Sequence, residues 1–122
     1  MTRERMELGA LGERIALEEL TRLGYRILER NYRCPLGEID IVALHRETLV
    51  FAEIKTRRDR CLGYAKEAVD AGKRRRLSKA ALFYLKARGS CDTSARFDVV
   101  AVSLAGGPPA VEVVENAFDL AY

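Results

Sequence analysis

The sequence predicts an α/β fold in which one mixed β-sheet is flanked by helices, in the order α-β-β-β-α-β-β. Three observations predict it. Apolar residues recur at helical spacing near the start of the chain. Two β-patterned runs then flank a short polar break at Arg46-Glu47. A second long helical stretch separates these strands from the very apolar run Arg96 to Leu104 and a last short strand. At 122 residues the chain reads as one domain, residues 1–122, large enough to bury a core without disulfides.

The first helix spans residues 4–23. Leu8, Leu11, Ile15, Ala16, Leu20 and Leu23 form its apolar stripe, and Gly24 suits its C-terminal end. Glu13 projects on the side that carries Gly9 and Ala16, where an acid needs a partner, a metal or a path to solvent. Tyr25 to Arg33 reads as a first strand, stopped by Pro35 and Gly37.

Gly37 to Arg57 reads as a hairpin. Strand side chains switch faces at each residue, so Glu38, Asp40, Val42 and Leu44 share one face, and Leu49, Phe51, Glu53 and Lys55 share another. A two-residue turn at Arg46-Glu47, or a four-residue loop from His45 to Thr48, pairs His45 with Thr48 and brings Asp40 opposite Glu53 and Glu38 opposite Lys55. Arg46-Glu47 lacks the Gly, Asn or Asp that primed turns want, so the longer loop is expected.

Thr56 to Tyr64 reads as a basic loop. Lys66 to Arg88 reads as the second helix, weakened at Gly72, with Lys73, Arg74, Arg75, Arg76 and Lys79 crowding its first half. Arg96 to Leu104 is apolar enough for an interior strand and carries an out-of-place Asp98. Gly106-Gly107-Pro108-Pro109 forms a turn, Ala110 to Val114 the last strand, and Asn116 to Leu120 a short helical turn.

Composition narrows the function classes. No apolar run reaches the ~18 residues of a membrane span, and the N-terminus lacks the apolar centre of a signal peptide, so a cytoplasmic protein is expected. Cys34, Cys61 and Cys91 are widely spaced, and His45 is the only histidine. That pattern argues against zinc and for reduced, partly buried thiols. Lys55 to Arg88 holds 12 Lys/Arg and three Asp/Glu, a charge of +9 in a chain of net +3, which leaves −6 elsewhere. A basic block in an otherwise acidic chain is either a polyanion-binding surface or a solvated helix face.

Strands disfavour Asp, Glu and Lys, so Asp40, Glu53 and Lys55 on one hairpin suggest a site. Two carboxylates facing each other on a sheet repel, and a hard divalent cation, Mg²⁺ or Mn²⁺, relieves the repulsion. Lys55, on the same face, can hold a water or neutralise a phosphate. The structural alternative is a solvated hairpin face with ordinary charge pairs.

An acid on the first helix, then Asp40, then Glu53-Ile54-Lys55, is the pattern of the PD-(D/E)xK nuclease superfamily. The chain more specifically resembles the YraN-like family of bacterial proteins, which is similar to archaeal Holliday junction resolvases. The matching stretches are Gly9-x-x-Gly12-Glu13-x-x-Ala16, Asn31-Tyr32-Arg33-Cys34-x-x-Gly37-Glu38-Ile39-Asp40, Val50-Phe51-x-Glu53-x-Lys55-Thr56-Arg57, Arg96-Phe97-Asp98-Val99-Val100 and Asn116-Ala117-Phe118. The resemblance implies a restriction-endonuclease-like core and a metal site made by Asp40, Glu53, the Ile54 carbonyl and Glu13, with Lys55 as the catalytic lysine. Relatives often carry Gln after the lysine on the second helix, where this chain has Arg74 after Lys73. Asp98 matches the pattern too, but is expected to serve structurally, as a partner for Arg96 or a neighbouring loop.

The expected activity is Mg²⁺- or Mn²⁺-dependent hydrolysis of DNA, selective for branched structure, in recombination or repair. Arg57, Arg58, Arg60, Lys73, Arg74, Arg75 and Arg76 would make salt-dependent, sequence-independent phosphate contacts. The alternatives are a non-catalytic module that binds nucleic acid or a recombination or repair partner, and an RNA-acting nuclease. A homodimer would match the two-fold symmetry of a junction.

Overall fold

A computed structural model of the chain describes residues 3–58, 69–89 and 94–119. The elements are α1 (Arg3–Arg22), β1 (Arg26–Cys34), β2 (Gly37–His45), β3 (Thr48–Arg57), α2 (Ala71–Ala87), β4 (Ala95–Ser103) and β5 (Ala110–Phe118). The order is the one the sequence predicts, α-β-β-β-α-β-β.

The five strands form one sheet in the order β1-β2-β3-β4-β5. β1, β2 and β3 make an antiparallel meander, β3 and β4 run parallel, and β5 returns antiparallel to β4. The parallel step is the one that needs a long connection, and α2 lies within it. β4, read as interior, sits between β3 and β5.

Among the described residues, each face of the sheet carries one helix and its own core. Ile39, Val42, Phe51, Phe97 and Val99 pack with Leu77, Ala80, Ala81, Tyr84 and Leu85 of α2. Ile41, Ala43, Val50, Ala52, Val100 and Val102 pack with Ala16 and Leu20 of α1. The buried stripe of α1 is narrow: Gly12, Ala16 and Leu20 are buried, whereas Leu11 and Leu23, expected in the core, are exposed. Gly12 explains how closely α1 approaches the sheet. A Cβ there would lie 1.9 Å from Thr56 Oγ1 on β3.

Three local features differ from expectation. His45 pairs with Thr48 as predicted, but through the two-residue turn, with Arg46 at φ 51° and Glu47 at φ 67°. The β2–β3 ladder thus holds two non-glycine residues in the left-handed region, although neither is favoured there. α2 starts at Ala71, capped by Asp70, whose carboxylate accepts from Lys73 N at 2.8 Å; residues 66–68 of the expected helix and 59–64 of the expected loop lie outside the described residues. β5 continues to Phe118, so Asn116 to Phe118 is strand rather than a helical turn. Among the described residues no helix is long and apolar enough to cross a membrane. Cys34 is a half-buried free thiol, and Cys61 and Cys91 lie outside the described residues.

Candidate functional site

β2 and β3 part beyond the pair Ile41–Ala52, and the two acids of interest are the next residues on each strand. Alternation in β2 reverses there: Ile39 packs toward α2, while Ile41, two residues on, packs toward α1. Opposite this point Asn31 of β1 takes φ 53° between the pairs Arg30–Ile41 and Tyr32–Ile39. Asp40 is therefore at a kink, not on the regular face shared with Val42 and Leu44. Its Oδ2 accepts from Ile54 N at 2.8 Å, so a side chain replaces the ladder's backbone partner.

Glu53 is buried, at 5 % exposure, and its carboxyl group lies within hydrogen-bonding reach of Asp40. Burial first, then the charge of Asp40, pushes the Glu53 carboxyl up to about 7, against the opposing pull of Lys73. The Lys73 ammonium stands 3.0 Å from Glu53 Oε1. The predicted meeting of Asp40 and Glu53 thus occurs. The predicted pairing of Glu38 with Lys55 does not lie on the ladder, which ends at Ile41–Ala52; Glu38 instead meets Arg33 at 3.2 Å.

Lys55, expected as the site's lysine, is half-buried on β3; the Asp70 carboxyl at the α2 cap is held low first by the Lys73 N–H bond, then by Arg76 and the Gly72 N–H, and least by Lys55. The ammonium that contacts Glu53 comes from α2 instead. No signal within β3 could reveal Lys73 in this role, because the contact joins residues twenty positions apart across the parallel crossover.

Glu13 faces an open cavity of about 590 Å³, walled also by Arg5, Gly9, Asn31, Asp40 and Ile54. Its Oε1 receives Arg30 Nη2 at 2.9 Å and Asn31 Nδ2 at 3.2 Å. Glu13 and Asp40 thus share a cavity, but among the described residues no three Asp, Glu, His or Cys side chains gather at metal-ligating spacing. The structure joins Asp40 with Glu53, and Asp40 with the Glu13 cavity, without closing all three into one cage. Asn31, part of a recognised stretch but given no role from sequence, supplies both the kink opposite Asp40 and a hydrogen bond to Glu13.

The basic residues divide. Arg75 and Arg76 are exposed on α2, and Arg57 ends β3 exposed. Arg58 meets Glu4 at 3.5 Å. Arg74 turns inward: its Nε donates to Val69 O at 2.8 Å and its guanidinium lies over Phe118 at 5.3 Å, so it is a fold contact more than an open phosphate ligand. Arg60 lies outside the described residues.

Asp98 has a different environment. It is fully buried, yet Arg96 donates to both its oxygens at 2.8 and 2.9 Å, Tyr25 Oη at 2.7 Å and Asn116 N at 3.0 Å. Burial first, then the bond to Asp98, pushes the Tyr25 hydroxyl well above its usual range. The Asn116 contact also accounts for β5. Asn116 takes φ 52° at a register shift, and Asp98 receives the N–H the ladder leaves over. The structural role expected for Asp98 is what this geometry provides.

Two acids at a kinked strand pair, one of them kept from easy ionisation by burial and then by the charge of the other, form a donor set suited to a hard divalent cation. A family model described as "Uncharacterised protein family UPF0102" matches residues 12–102. A UPF0102 protein of Syntrophus aciditrophicus is 47% identical over 119 residues, covering 98% of this chain and 94% of its own. One of Geobacter sulfurreducens is 50% identical over 116 residues, covering 94% and 91%. One of Moorella thermoacetica is 51% identical over 124 residues, covering 97% and 100%.

Proposed function

We propose that this chain, which belongs to the UPF0102 family, is a metal-dependent nuclease that hydrolyses DNA phosphodiester bonds, with a preference for branched DNA. The observation that carries the reading is the Asp40–Glu53 pair. Glu53 is buried with half-buried Asp40 within hydrogen-bonding reach, and burial first, then the charge of Asp40, opposes ionisation of Glu53. A purely structural acid is expected to be matched by donors, as Asp98 is.

Asp40 and Glu53 would hold Mg²⁺ or Mn²⁺, with Glu13 reaching across the shared cavity once freed from Arg30. When bound, such a cation polarises a phosphate and lowers the pKa of a coordinated water. Ile54 N fixes the Asp40 carboxylate. Lys55, at the end of the site toward α2, would neutralise charge developing on the phosphate. Arg57, Arg75 and Arg76 would track the nucleic-acid backbone and give salt-dependent binding.

The test compares wild type with Glu53→Ala on duplex, single-stranded, flapped and four-way DNA, with Mg²⁺, Mn²⁺ or EDTA. Metal-dependent cutting that is lost in the variant supports the nuclease. Equal binding by both proteins, without cutting and insensitive to EDTA, would remove the metal site.

A second reading has its own observation. Glu53 already faces an ammonium and Glu13 already faces a guanidinium. Such pairing suits a non-catalytic nucleic-acid- or partner-binding module on the same fold, and the EDTA comparison separates the two.

A further inference from the structure

Lys73 stands where two features meet. Its Nζ is 3.0 Å from Glu53 Oε1, and its side chain is 37% exposed against 6% for the glutamate, so it reaches inward from the rim. The same residue lines a second cavity, of about 240 Å³, with Gly37, Glu38, Arg76 and Leu77. That cavity exists because the β1–β2 turn runs close under α2. Gly37 takes φ 150°, and a Cβ there would stand 3.3 Å from Arg76 O. Glu38, the acid among its described lining residues, is matched by Arg33 at 3.2 Å.

The Lys73 backbone is pinned in the first turn of α2 by the Asp70 cap. Its four-carbon stem is free to turn about that pivot. Charge balance favours such a turn. The Lys73 ammonium faces Glu53, with Asp40 beside that glutamate, and a divalent cation held by the two acids would repel the ammonium.

We propose that Lys73 is an exchangeable counter-ion: it occupies the cation's place on Glu53, and when a divalent cation binds it turns into the cavity beside Arg76 and there binds a nucleic-acid phosphate. The inference rests on the metal-site reading above. It makes cation binding and phosphate binding mutually reinforcing, since each draws on the same lysine.

The experiment uses Lys73→Gln and Lys73→Met, the second keeping the apolar stem, with Glu53→Gln as control. All are measured at pH 8. Mn²⁺ affinity is read from thermal-shift titrations. Affinity for a labelled DNA duplex is read by fluorescence anisotropy in EDTA and in Ca²⁺. Both Lys73 variants are expected to bind Mn²⁺ on the order of tenfold more tightly than wild type, with no response in Glu53→Gln. They are expected to lose roughly threefold in DNA affinity in Ca²⁺ and little in EDTA. Mn²⁺ binding that depends on Glu53 but is equal in wild type and both lysine variants would overturn the counter-ion role and leave the metal site standing. A DNA loss of equal size in EDTA and Ca²⁺ would overturn the turn into the cavity. No Mn²⁺ response in any protein would overturn the metal site and this proposal together.

Discussion

Asp98 and Glu53 are both acids buried in adjacent, parallel strands of one sheet, and they have opposite surroundings. Asp98 receives four hydrogen bonds, two of them from one guanidinium, and its side chain has no exposure. Glu53 has one ammonium and, on its other side, a second carboxyl group. The difference teaches what a misplaced charge in a strand means. Where the protein surrounds the acid with donors, the acid is part of the framework. Where the protein sets another acid beside it, the fold carries an electrostatic cost that needs a reason outside folding.

The largest expected effect tests the framework side. Asp98→Ala leaves Arg96 and Tyr25 without their acceptor and frees the Asn116 N–H, and should lower stability by about 3–5 kcal/mol in urea denaturation. A loss under about 1 kcal/mol would erase the contrast. Glu53→Gln, by comparison, should not destabilise the fold appreciably at neutral pH, because it removes repulsion from Asp40 along with the Lys73 contact.

pH sharpens the same contrast. The Glu53 carboxyl is raised from 4.5 to about 7 in the folded chain. Between those values the folded state holds a proton that the unfolded state releases. Its contribution to stability is therefore complete below about 4.5 and is lost as pH rises through about 7. The stability of wild type relative to Glu53→Gln should fall by roughly 1–3 kcal/mol between pH 5 and pH 8. A flat difference would mean that Lys73 fully compensates Glu53. Saturating Mg²⁺ should cancel the decline, which is checked by repeating the melts with and without EDTA.

The packing that presents Glu13 gives a smaller test. Gly12→Ala would drive a methyl into Thr56 and should cost about 1–3 kcal/mol despite alanine's better helix propensity. Gly9→Ala, three residues away with nothing within 4 Å, should be neutral or stabilising by up to about 1 kcal/mol. Equal effects at both positions, in parallel thermal melts, would show that α1 does not press on β3 as described.

The smallest effect lies at the β2–β3 turn. Replacing Glu47, at φ 67°, by Gly should stabilise by up to about 1 kcal/mol without changing metal response. Replacing Arg46 by Asn should act in the same sense. Loss of stability in both variants would mean that the turn side chains make contacts worth more than the relief of the backbone.

Much of this was legible beforehand because it depends on local periodicity. Helical spacing located α1 and most of α2, and the hairpin register brought Asp40 level with Glu53, although strict alternation fails at Asp40. Arg96 is one of the two partners the sequence offers Asp98, the other being a neighbouring loop, and the structure shows Arg96 bound to both carboxylate oxygens. The kink at Asp40 was not anticipated, since it depends on Asn31 in a neighbouring strand. β5 exceeded its expected length because Asp98 satisfies the backbone at Asn116, a contact with no local signature.

What the sequence alone determined was the order of elements, the hairpin register and the identity of the acids, all set by side-chain period and by the chemistry of each residue type. Tertiary structure decided which acids stand beside one another and which cations reach them. Lys73 rather than Lys55 contacts Glu53, Arg74 turns inward while Arg75 and Arg76 stay out, and Glu13 is held by Arg30 and Asn31. Those choices depend on distances between elements far apart in the chain, and the close seating of each helix on its own face of the sheet fixes them.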